Sequence, residues 1–150
     1  MIIGYDSSMT QQIHDTIRSL QDQENIRILY TSESGSRAWG FPSPDSDWDV
    51  RFIYVHPRDW YLELNQKKDC IDQMLPNDLD LSGWELSKAL RLFHGCNLAL
   101  NEWIGSPDIY QKNELFHHKL RELIPHYFNA KKAMYHYLSM AGKTLDTYLI

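Results

Sequence analysis

The stretch GSRAWGFPSPDSDWDVRFIYV, Gly35–Val55, decides how this chain is read. Its second half, Trp48–Val55, carries the strongest strand signal in the sequence, rich in aromatic and β-branched residues and ended by His56-Pro57. Side chains alternate along a strand, so Trp48, Val50 and Phe52 share one face while Asp47, Asp49 and Arg51 share the other. The first set is a core face. The second projects two carboxylates toward one point, and like charges so placed repel unless water or a cation neutralises them. Oxygen-only ligands of this kind suit Mg²⁺, which keeps several waters and takes one or two carboxylates plus substrate phosphates.

The first half of the stretch supplies the phosphate side of such a site. Arg27–Thr31 reads as a buried strand running into Ser34-Gly35-Ser36, and a short helical segment at Arg37-Ala38-Trp39 follows. A turn of this form offers backbone N–H groups and the Ser36 hydroxyl to an anion. Gly35 lets the backbone approach closely, Gly40 ends the turn, and Pro42 and Pro44 punctuate the loop beyond. Together these features suit phosphoryl or nucleotidyl transfer, whose catalysis is positioning and charge neutralisation.

A two-metal arrangement needs a third carboxylate from a neighbouring strand. Asp69–Ser82 reads as strand, a turn at Pro76-Asn77-Asp78, and a second strand in which Asp80 lies between core-facing Leu79 and Leu81. Asp80 is the candidate, with Asp78 the fallback of the same parity. Lys88 follows on a helix and is a candidate phosphate ligand, against the alternative of an ordinary surface charge. Arg51 either clamps a phosphate or pairs with Glu33 or Asp49. Arg37 either touches the nucleotide or stays a surface charge. Trp39 either stacks on a base or packs on its own loop.

Outward from the site, Ile13, Ile17 and Leu20 predict an amphipathic helix over Met9–Glu24, capped by Ser8 or Thr10. A helix is expected from about Trp84 to Phe93, with Ser82 as cap and Leu86, Ala89, Leu90 and Phe93 on one face. Others are expected over Leu98–Ile104, Glu114–Ile124 up to Pro125, and Ala130–Tyr148. In the last of these, Met134, Tyr137, Leu138 and Ala141 read as core. Glu102-Trp103 reads as a surface acid beside a buried aromatic, and His117, His118 and His126 as surface residues. The order gives an α+β fold: a small mixed sheet in residues 1–108, then a helical tail over 109–150.

At 150 residues, 43% of them hydrophobic and with a mean hydropathy of -0.50, the chain is expected to fold as one soluble unit, without a secretory signal or a membrane span. Cys70 and Cys96 form no metal-binding pattern and read as reduced thiols of a cytoplasmic protein. The net charge of -5 argues against a broad nucleic-acid-coating surface. The basic residues concentrate toward the end, so an acidic body is followed by a mildly basic tail, most simply a solvated helix face.

Gly35-Ser36, ten intervening residues and then Asp47-Trp48-Asp49-Val50, with Asp80 on a later strand, resembles the DNA polymerase β-type nucleotidyltransferase superfamily. ESGSRAWGF, SDWDVRFIYV, DLDLSGWELSKALRL and NEWIGSP together resemble the predicted nucleotidyltransferases associated with RNA repair. The resemblance runs from about Leu29 to Pro107 and, more loosely, into AKKAMYHYLSMAGK. It implies that Gly35 and Ser36 hold the triphosphate of an NTP such as ATP, and that Asp47 and Asp49 bind two Mg²⁺. Asp80 would bind the catalytic metal and help activate an acceptor hydroxyl, on RNA or on a protein. The sequence departs from the superfamily at Ser34, where an apolar residue is usual, and relatives are expected to continue past Ile150. The rival expectation is a non-catalytic nucleotide-binding or partner-binding module that keeps the fold.

Overall fold

The two strands flanking the Gly-Ser turn, β1 (Arg27–Ser34) and β2 (Trp48–Val55), pair antiparallel in the computed structural model, which describes residues 7–40, 46–65 and 67–148. The expected loop with Pro42 and Pro44 lies outside the described residues. Strand β2 runs parallel to β4 (Leu79–Glu85), which pairs antiparallel with β3 (Cys70–Leu75). On the other side β5 (Ile109–Lys112) joins β1 antiparallel, so the five-stranded mixed sheet has the order β3-β4-β2-β1-β5. Residues 109–112, expected in the helical tail, are thus the edge strand of the sheet.

The alternation read from β2 holds. Val50 and Phe52 are buried with Leu79 and Leu81 beneath α1 (Ser7–Glu24), which contributes Ile13, Ile17 and Leu20. Ser8 and Thr10 lie inside the first turn of α1, so neither is its cap. On the opposite face Ile53 and Tyr30 pack with Ala89 and Phe93 of α3 (Leu86–His94) and with Leu100, Trp103 and Ile104 of α4 (Leu98–Ile104). Leu120 of α5 (Glu114–Tyr127) closes that second core. After β2 a single turn, α2 (Arg58–Tyr61), follows His56-Pro57 with Pro57 at its N-cap position.

One irregularity in β1 sets which residues reach the site. The register slips between Ile28 and Tyr30, two residues of β1 advancing against one of β2. Ile28 therefore faces α1, while Tyr30, of the same parity, faces the other helices. Beyond the bulge, Ser34 lies opposite Asp49 and Glu33 opposite Val50.

Several helical expectations change. Strand β4 continues through Ser82 and Trp84, so α3 starts later, and its N-cap is Glu85, whose Oε2 accepts the Ser87 N–H at 2.8 Å. Leu90 is exposed, because only Ala89 and Phe93 turn fully into the core. Pro125 lies within α5 rather than ending it. His117, read as a surface residue, is buried, stacked on Tyr30 with ring centroids 5.1 Å apart. The tail helix α6 (Ala130–Tyr148) buries Ala133, whereas Met134, Tyr137, Leu138 and Ala141 are all exposed. No helix among the described residues is long and apolar enough to cross a membrane.

Candidate functional site

The parallel register of β2 and β4 pairs Asp49 with Asp80. Directly paired residues share a face, so both carboxylates lie on the face whose far half is covered by α3 and α4, but on its uncovered half. Ser34 and Arg51 share that face by register with Asp49. The Arg51 guanidinium bridges the two acids: Nη2 is 3.0 Å from Asp80 Oδ2 and 3.6 Å from Asp49 Oδ1. Of the sequence alternatives for Arg51, pairing with Asp49 is present, pairing with Asp80 is added, and Glu33 lies on the other face.

Burial pushes the Asp49 carboxyl above the usual aspartate range; Arg51 opposes this, while Asp80 and Asp47 reinforce it. Both neighbouring acids thus act on Asp49, although Asp47 lies at the exposed entrance to β2. As they stand, no three His, Cys, Asp or Glu side chains among the described residues form a group able to hold a metal ion. Asp78 stays in the turn at φ +57, where its carbonyl accepts the Trp48 N–H at 2.8 Å.

The Gly-Ser turn forms a short 3₁₀ segment over Gly35–Arg37. Gly35 has φ +73, and a Cβ there would collide with Asp49 Oδ2. Glycine is required twice over: the backbone is left-handed, and a carboxylate occupies the space of the side chain. The group that comes close to Gly35 is the Asp49 carboxylate. Ser36 is exposed on the turn. Arg37 folds back to hold the entrance to β2. Its Nη2 donates to the Ser46 carbonyl at 2.9 Å, its Nε to the Asp47 carbonyl at 3.2 Å, and its guanidinium carbon lies 3.8 Å from the Trp48 ring centroid.

Lys88 is not brought to the site. Asp80 is at the start of β4, and Lys88 follows its end, roughly 16 Å along the strand. There its Nζ pairs with Asp69 at 3.2 Å. Counting helix turns from Asp80 missed this because β4 runs longer than expected.

Two further residues take places at the site that differ from those expected of them. Glu33, 1% exposed, lies on the α1 side of the sheet and grips the site from behind. Its Oε2 accepts the Asp49 N–H at 2.8 Å and its Oε1 accepts the Tyr110 hydroxyl at 2.8 Å. Burial raises the Glu33 carboxyl to about 7, against the lowering effect of those hydrogen bonds. The available signal was parity: once Ser34 shares a face with Asp49, its neighbour must face the core. Glu102, assigned to the surface, lines a cavity beside Gly35 with Ala38 and Trp39, while Trp103 is buried as expected.

The uncharacterized protein YcgL of Bacillus subtilis (strain 168) is 43% identical over 141 residues, 94% of this chain. The chain spans about half, 54%, of that relative's length. No solved structure matches. A sequence model of RlaP, the RNA repair pathway DNA polymerase beta family, matches residues 9–150, which include the Gly-Ser turn, both aspartate-bearing strands and the helices behind them, and the chain belongs to that family.

Proposed function

We propose that the chain transfers a nucleoside monophosphate from a nucleoside triphosphate to a hydroxyl, on an RNA end or a protein side chain, with Mg²⁺, the hydroxyl oxygen bonding to the α-phosphorus as pyrophosphate leaves. One observation carries the reading: Asp49 and Asp80 meet on an open sheet face, against a Gly-Ser turn with no room for a side chain at Gly35. The donors are hard carboxylate oxygens, which fit Mg²⁺. Bound there, Mg²⁺ would neutralise triphosphate charge and acidify the attacking hydroxyl.

The protein's own part is positioning. Asp49 and Asp80 would hold the metal, with Asp47 joining from the strand entrance. The Gly35-Ser36 turn presents backbone N–H groups and a hydroxyl to the triphosphate. Asp80 orients the acceptor hydroxyl and draws on its proton. Arg51 keeps the two acids aligned, and Glu33 fixes the backbone that carries Asp49. The family's description, naming an RNA repair pathway, favours RNA as the acceptor.

The test is label transfer from each NTP to RNA ends and to protein, with and without Mg²⁺. Asp49→Ala combined with Asp80→Ala should abolish transfer while leaving the fold, since both side chains are partly exposed. Transfer that persists in that double variant overturns the assignment. A second reading, a nucleotide-binding or partner-binding module, is favoured by Arg51, which already neutralises part of the carboxylate pair. Calorimetry showing NTP binding without transfer to any acceptor would select it.

A further inference from the structure

A cavity of about 240 Å³ opens beside the Gly35 turn. The sheet order puts it on the β1 side of β2, whereas Asp80 lies on the β4 side. Gly35, Ala38 and Trp39 contribute from the turn, and Glu102, Gly105 and Pro107 from the end of α4. Gly35 belongs both to the cavity and to the contact with Asp49, so a ligand lying across it reaches both.

The lining defines what fits. The indole of Trp39 is 60% exposed, a flat apolar surface on which an aromatic ring can stack. Glu102 accepts the Tyr137 hydroxyl at 3.0 Å on Oε1 and, as a carboxylate, offers only further acceptor capacity. It repels phosphate and takes N–H or O–H donors. The volume is below the 300–1,000 Å³ or so of a drug-sized ligand site. It suits part of a nucleotide, with the phosphates outside over Gly35-Ser36.

We propose that this cavity receives the nucleoside end of the triphosphate, the base lying on Trp39 and an amino or hydroxyl group of base or ribose donating to Glu102. The proposal rests on the nucleotidyl-transfer reading above and adds where selectivity resides. Phosphates are held without regard to the base, and discrimination falls to Trp39 and Glu102.

The experiment measures, by calorimetry on the full chain with Mg²⁺, binding of the four NTPs and of inorganic tripolyphosphate, which has no nucleoside. The wild-type chain should bind at least one NTP more tightly than tripolyphosphate. Trp39→Ala and Glu102→Gln should each weaken that NTP roughly tenfold and leave tripolyphosphate unchanged. Trp39 is exposed and glutamine keeps an acceptor for Tyr137, so both variants should fold. Tripolyphosphate binding with no NTP advantage, or an advantage unaffected by either substitution, overturns the cavity proposal and leaves the phosphate site standing. Failure of both ligands to bind removes the phosphate site and the cavity proposal together.

Discussion

The same face of β2 and β4 has two halves that behave differently. Asp49 and Asp80 lie side by side on one half with Arg51 between them, open to solvent. Four residues along β2, Ile53 pairs with Trp84 and is fully buried under α3 and α4. Both halves share strands, hydrogen-bond pattern and parity. The difference is what covers them, and it teaches that one half serves stability while the other leaves charged groups accessible. A cation or phosphate can reach the open half, and the covered half anchors it.

That contrast can be broken from either end. The largest effect is expected in the covered half: Ile53→Ala should cost about 2–5 kcal/mol in urea unfolding. A smaller loss would mean that α3 and α4 do not clamp the sheet there. In the open half, Gly35→Ala should lower the proposed nucleotidyl transfer on the order of 10²-fold, because the new methyl must displace the Asp49 carboxylate. Its melting temperature should move far less than that of Ile53→Ala; equal losses of stability would erase the division.

Glu33, behind the open half, gives a pH signature. Its folded pKa is raised to about 7 from an ordinary value of 4.5, so the fold favours its neutral form. The stabilisation is complete below about 4.5 and is lost as pH rises through about 7. Glu33→Gln should therefore flatten the stability profile across that window, where the wild-type chain loses up to about 1.4 kcal/mol per pH unit from this group. Parallel profiles for the two proteins would show that Glu33 does not titrate there.

The smallest effect is expected in α6. Leu138, 61% exposed, touches no core, so Leu138→Ser should change stability by less than about 0.5 kcal/mol. A core-sized loss would show that α6 is covered in solution by something beyond the described residues. Helix α1 sharpens the point. Its Ile13, Ile17 and Leu20 follow the same spacing rule as Met134, Leu138 and Ala141, yet the first set is buried and the second is not.

Local chemistry made the central site legible. The bounds of β2, its core and charged faces and the hairpin before Asp80 all follow from side-chain alternation and turn chemistry, which act over a few residues. The sequence by itself determined which residues make elements and which of their faces are apolar. The tertiary structure alone decided what each face meets. A bulge at Ile28–Tyr30 turned Glu33 behind Asp49, the length of β4 carried Lys88 away to Asp69, and packing buried His117 against Tyr30. Those outcomes depend on contacts between residues far apart in the chain, where no periodicity within one segment carries the information.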